Sequence, residues 1–249
     1  MHYPDFPFKR IHLKETNSTS SYLRTLCNTQ ATEEFTVIST DFQTAGRGQR
    51  GNSWESEEKK NLLFSLLLTP SFLPANEQFI LSQVVSLSIK EELDTYGSGF
   101  SIKWPNDIYW NDKKICGILI ENDLQGSYLS QSIAGIGINI NQEAFHSSAP
   151  NPVSLKQITG KEHDLNSILE NILCRLDSYY KKIQSGYMES ISQTYYNALF
   201  RKEVFAGFSD KNGKFTARII RVEPSGLLVV ADKDGMERSY AFKEISYIL

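Results

Sequence analysis

Residues 61–69 read NLLFSLLLT, an almost continuous apolar run that stops at Pro70. Side chains of a strand alternate between two faces, so a strand of this composition is stable only where both faces are covered. The fold must therefore contain a sheet with protein on each side of it. The core of the run, residues 62–68, is about a third of the roughly 20 residues needed to cross a bilayer. A membrane-spanning role is excluded on that length. Residues 76–96 supply one cover, because Phe79, Ile80, Val84, Leu87 and Leu93 recur at helical spacing.

Other segments fill in around this strand. Residues 16–20 form a Ser/Thr/Asn cluster before Tyr22, Leu23 and Leu26, which predicts a capped helix over about 19–27. The β-branched run 35–40 predicts a strand, and residues 41–54, with three glycines among polar residues, predict a long loop. Strands are expected at 101–104, 108–110, 115–121 and 130–140, the middle two joined by a turn at Asn111-Asp112-Lys113. A loop is expected at 141–152 and helices at 164–184 and 187–200. From Val204 the pattern shortens to strand candidates at 214–221, 227–231 and 237–242. The expectation is an α+β fold with a mixed, mostly antiparallel sheet and flanking helices over residues 1–200. A small β-barrel follows over 201–249. A length of 249 residues suits one main domain with a small appendage.

Composition narrows the function. Hydrophobic residues make up 40% and charged residues 22%, values of an ordinary globular chain. Twenty-six basic against 29 acidic residues give a net charge of -3, so no global field draws the chain to nucleic acid or an anionic membrane. Cys27, Cys116 and Cys174 form no CxxC or Cys/His pattern, which speaks against a disulfide framework or zinc site and for a reducing compartment, the cytoplasm. The N-terminal residues, broken by Pro4 and Pro7, lack the apolar run of a signal peptide. The four scattered histidines support neither a metal site nor a Ser-His-Asp triad.

Four strings could carry chemistry. Gly46-Arg47-Gly48-Gln49-Arg50-Gly51 would let backbone amides and two arginines converge on phosphates; it lacks P-loop or dinucleotide spacing, and a solvated Gly-rich turn reads equally well. Trp54 beside it suits stacking on an adenine or simple core packing. In Lys103-Trp104-Pro105-Asn106-Asp107, Pro105 breaks a strand and places two polar residues at its end, where function or an Asx turn would put them. Lys114 enters an apolar strand, and alternation predicts Lys114, Cys116 and Ile118 on one face with Ile115, Gly117 and Leu119 on the other. A half-buried lysine is costly unless an anion meets it. Gly135-Ile136-Gly137-Ile138-Asn139 suits the close approach of a flat ligand, or equally a bulge or sheet corner.

In this order, Asn17-Ser18-Thr19, Gln43-Thr44-Ala45-Gly46-Arg47-Gly48, Lys103 to Asp107, Lys114 to Glu121 and Gly135 to Asn139 resemble biotin-protein ligase. The resemblance covers residues 12–249. It implies a biotin/lipoate ligase-type catalytic domain followed by an SH3-like barrel. It further implies formation of biotinyl-5′-AMP from biotin and ATP, then transfer of biotin to a lysine of the biotin carrier domain of a biotin-dependent carboxylase. Magnesium is expected with the nucleotide, its ligands unassigned.

The resemblance assigns biotin to Ser18, Thr19, Gln43 and the backbone of Gly135 and Gly137, the glycines admitting its flat ring. Gly117 and Asn139 join this set, with Ser20 where relatives often carry Asn. Arg47, Arg50 and the amides of Gly46, Gly48 and Gln49 are expected to grip phosphates, with Trp54 enclosing the adenylate. Lys114 is expected to offset charge at the reacting phosphorus, and Asn106 and Asp107 to lie near the incoming lysine, Asp107 orienting or deprotonating it. Gln49 and Asn52 stand where many relatives have cations, and Arg50 is the expected substitute. The Ser-Thr motif begins almost at once, which leaves no room for a DNA-binding module, so no DNA binding is expected; homodimerisation through a sheet edge stays open. The rivals are a lipoate or octanoyl transferase, a non-catalytic biotin sensor, and an OB- or SH3-type nucleic-acid binder.

Overall fold

The computed structural model describes residues 8–48, 52–146 and 151–248. Among the described residues, twelve strands and five helices follow one another as β1 (Lys9–Thr16), α1 (Thr19–Thr29), β2 (Thr36–Gln43), β3 (Leu62–Leu68), α2 (Phe79–Leu93), β4 (Phe100–Lys103), β5 (Asp107–Trp110), β6 (Lys113–Gln125), β7 (Tyr128–Ile138), α3 (Leu155–Thr159), α4 (Leu165–Gln184), α5 (Met188–Asn197), β8 (Ala206–Asp210), β9 (Gly213–Val222), β10 (Leu228–Ala231), β11 (Glu237–Tyr240) and β12 (Ser246–Tyr247). The main sheet has the order β1-β2-β3-β7-β6-β5-β4. Among its described strands, β1 and β2 pair in parallel and the other neighbours pair antiparallel.

The apolar run forms β3, buried along its whole length and third in the sheet. Leu62, Phe64, Leu66 and Leu68 enter the main core with α2, α4 and α5. Leu67 turns to the opposite face and packs with Leu23 of α1, Ile38 and Ile133. Helices thus cover the sheet on both sides, as the run requires. The C-terminal strands form a separate antiparallel sheet of order β11-β10-β9-β8-β12, the small SH3-like unit.

Several expectations needed revision. Strand β1 was not anticipated: KRIHLKET carries Lys9, Arg10, Lys14 and Glu15 and turns only Ile11 and Leu13 to the core, a composition suited to an edge strand. The helix expected over 76–96 is α2 flanked by 3-10 turns at Ala75–Glu77 and Asp94–Tyr96. Beyond the expected loop lies α3, closed at its start by a capping box between Ser154 and Gln157. The C-terminal sheet gains β8 and β12 beyond the three expected strands.

The two sheets meet through aromatic and polar contacts. The Trp104 indole N–H donates to Gly226 O at 3.0 Å, and its ring packs edge-on against Phe242. Arg201 donates to Ile248 O at 2.7 Å, and Tyr247 packs against Phe200.

Candidate active site

A cavity of about 510 Å³ opens over the β6–β7 face of the main sheet, walled by the start of α1, by Arg47, Gly48 and residues 52–54, by the β4–β5 turn and by the β11–β12 connection. It gathers Ser18, Thr19, Ser20, Gln43, Arg47, Gly48, Trp54, Asn106, Asp107, Lys114, Gly117, Gly135 and Gly137. Of the remaining sequence candidates, Gln49 and Arg50 lie outside the described residues, and so does the expected substitution by Arg50.

Polar groups at one end are fixed by the helix start. The first-turn N–H of Thr19 needs a partner from outside α1 and donates to Gln43 Oε1 at 2.8 Å. Thr19 Oγ1 donates to the same oxygen at 3.2 Å. Beneath them Ser65, on β3, meets Thr19 Oγ1 at 2.7 Å and Ser20 Oγ at 3.0 Å. Ser20 in turn lies directly against Gly135, where a Cβ would overlap its hydroxyl.

The glycines have a concrete reason. Trp54 lies flat on the sheet, and a Cβ on Gly117 would come within 2.8 Å of its ring. A Cβ on Gly137 would fall inside the indole. The flat group against Gly137 is therefore Trp54 itself, not only the ligand ring expected from sequence. Gly46 admits the same segment, since its Cβ would sit 2.5 Å from Trp54 O.

The other end is charged. Lys114 Nζ lies 2.7 Å from Asp107 and 5.7 Å from the centre of the Trp54 ring. Strict alternation would set Lys114 opposite Gly117, but the β5–β6 pairing shifts register between Ile108 and Tyr109. Ile108 pairs with Cys116 and Tyr109 with Lys114, so β6 carries Ile115 as an extra residue and Lys114 turns to the Gly117 side. Cys116 is fully buried on the far face, and burial pushes its thiol well above the usual range. Lys114 is further pinned by its backbone, which pairs with Asn151 O and Val153 N.

Two candidates serve the framework. Asn139 does not line the cavity; its amide donates to Val153 O at 3.2 Å and its backbone N–H to Ile115 O. It ties β6 to the segment that holds Lys114. Gly46 likewise shapes the loop from behind the wall. Asn106 lines the cavity and also donates its amide to Ile118 O, and the Trp104–Pro105 peptide bond before it is cis. Arg47 is held by both carboxylate oxygens of Glu121, at 2.7 and 3.2 Å.

Five further residues contribute that sequence reasoning did not assign to the site. Ser65 had a signal, as the one hydroxyl in a buried apolar strand. Lys103 lies 2.9 Å from Tyr109 OH and over the rings of Tyr109 and Tyr247. Burial lowers its ammonium pKa below the usual lysine range. Phe242, Lys243 and Tyr247 reach the cavity from the C-terminal unit, with Lys243 in left-handed backbone at φ 72°; no local motif marked them. Among the described residues, no group of three or more His, Cys, Asp or Glu is placed to hold a metal.

Residues 12–139 match the biotin/lipoate A/B protein ligase family. Over 235 residues the chain is 27% identical to the bifunctional ligase/repressor BirA of Bacillus spizizenii, covering 93% of this chain and 72% of that protein. It is 33% identical over 137 residues to the biotin--[acetyl-CoA-carboxylase] ligase of Paracoccus denitrificans, covering 51% and 55%. The biotin protein ligase from Aquifex aeolicus, solved in complex with biotin and ATP, superposes with a TM-score of 0.77 at 29% identity, covering 95% of this chain and 97% of that one.

Proposed function

The chain belongs to the biotin/lipoate A/B protein ligase family, and we propose that it is a biotin-protein ligase. It joins biotin to ATP as biotinyl-5′-AMP with release of pyrophosphate, then passes biotin to a lysine on the carrier domain of a biotin-dependent carboxylase. The observation that carries this reading is the polarity of one cavity: neutral hydroxyl and amide groups at the Thr19 and Gln43 end, a lysine–carboxylate pair at the other.

In the first step a biotin carboxylate oxygen attacks the α-phosphorus and the bond to the leaving pyrophosphate breaks. Lys114 is placed to balance the negative charge that gathers there, a contribution whose loss costs roughly 100- to 1000-fold in rate. Arg47 leaves Glu121 for the phosphates. In the second step the acceptor amine attacks the acyl carbon, AMP departs with the bridging oxygen, and the amine loses a proton. Asp107 orients that amine or takes the proton. Trp54, with Arg47 and Gly48 beside it in the cavity wall, covers the intermediate, which is prone to hydrolysis. Magnesium would enter with the nucleotide substrate and offset the charge of its phosphates.

The partner is a protein carrier rather than DNA, since 26 basic against 29 acidic residues give no electrostatic footprint for a duplex. Among the described residues no helix is long and apolar enough to cross a membrane, and a cytoplasmic setting supplies both ATP and the carrier.

The test is ATP-dependent transfer of labelled biotin to a purified carrier domain, with Lys114→Ala alongside. Transfer by the wild type and a loss of roughly 100-fold or more in the variant support the reading. Biotin binding with no pyrophosphate release points instead to a sensor.

A further inference from the structure

Ser65 is fully buried in a strand whose other six residues are apolar. A buried hydroxyl is costly unless it is hydrogen-bonded, and Ser65 faces two hydroxyls, Thr19 Oγ1 and Ser20 Oγ. The direction of these bonds follows from counting hydrogens. Gln43 Oε1 receives the Thr19 backbone N–H, which can only donate, so the amide has one orientation. The Thr19 hydroxyl also points at Oε1 and spends its single hydrogen there. Ser65 must then donate to Thr19, and, with its own hydrogen spent, must accept from Ser20. The hydrogens run one way, from Ser20 through Ser65 and Thr19 to Gln43.

Resting on the ligase reading above, we propose that Ser65 is a specificity-determining positioning residue that fixes the cavity as an acceptor at Ser20 and a donor at Gln43. With its hydrogen directed inward, Ser20 offers the cavity only lone pairs, beside Gly135. With its oxygen saturated, Gln43 offers only the Nε2 hydrogens, which lie toward Gly46. The ligand must bring an N–H to the first and a C=O to the second, on one compact flat group. A cyclic urea does both; a dithiolane ring does neither. Ser65 does not line the cavity and acts through Thr19 and Ser20.

The experiment is biotin-dependent pyrophosphate–ATP exchange by the full chain, with Ser65→Ala and the near-isosteric Ser65→Cys. The substrates are biotin, desthiobiotin, and a biotin methylated on a ureido nitrogen. Ser65→Ala is expected to raise KM for biotin about tenfold with kcat and melting temperature unchanged, and Ser65→Cys to fall between it and the wild type. The preference for biotin over the N-methyl analogue should shrink in Ser65→Ala, while the preference over desthiobiotin, which keeps the urea, stays as in the wild type. A wild-type KM in both variants, or a loss of kcat that tracks a loss of stability, overturns the proposal. Absence of biotin-dependent exchange in the wild type overturns the ligase reading itself, a distinct result.

Discussion

Gly137 and Gly117 carry the weight of Trp54, and neither has room for a side chain. Overpacking at such a site costs about 1–3 kcal/mol, here taken from the placement of the indole rather than from the core. Gly137→Ala is expected to fold with a near-wild-type melting temperature and to lose about tenfold or more in kcat/KM for exchange; unchanged kinetics would separate Trp54 from the reaction. Lys103 yields a pH prediction. Its folded pKa is lowered by burial from 10.5, so between the two values the unfolded chain holds the extra proton. The penalty is full below the folded pKa and fades as pH rises toward 10.5. The stability of Lys103→Met relative to the wild type should therefore decline from neutral pH toward 10.5, read by thermal melts; parallel curves would contradict it. At this scale Arg47, Gly48, Asn106, Asp107, Lys114 and Gly117 were marked in sequence and converge on the cavity. What the sequence did not show is partnership. Ser65 meets Thr19 and Ser20, and Lys103 lies over Tyr247, partners far away along the chain.

Strand β6 illustrates how an element aims its side chains. One extra residue, Ile115, redirects Lys114 toward Gly117, an outcome simple alternation could not foresee because bulges depend on the partner strand. The segment that then fixes Lys114 runs 151–153 and leads into α3. Ser154 caps that helix and Gln157 reaches back to it at 3.0 Å. Ser154→Ala is expected to lose about 1 kcal/mol of stability, measured by denaturant midpoint, with a modest fall in exchange rate. A full-strength cap loss with no kinetic effect would show that α3 does not govern Lys114. The long periodic elements were plain in sequence: β3 from its unbroken apolar run, α4 from its repeat. Charged β1, short α3 and the two-residue β12 were not, because an edge strand and single-turn elements bury too little to leave a pattern.

At the level of the whole molecule, the C-terminal unit is part of the wall of the candidate site, which Phe242, Lys243 and Tyr247 line. Trp104, almost fully buried, reaches from the β4–β5 turn to Gly226 and Phe242, and the same turn leads to Asp107 facing Lys114. Removing such a side chain costs about 3–5 kcal/mol. Trp104→Ala is expected to raise hydrogen exchange in β8–β12 before it does so in β3 or β7; uniform acceleration would contradict a shared interface. The central claim is that this joint cavity activates biotin by adenylation, and pyrophosphate–ATP exchange tests it most directly. Exchange should depend on biotin, be absent with lipoate or octanoate, and fall roughly 100-fold or more in Lys114→Ala. Exchange supported by lipoate, or biotin-dependent exchange left intact in that variant, would contradict the account.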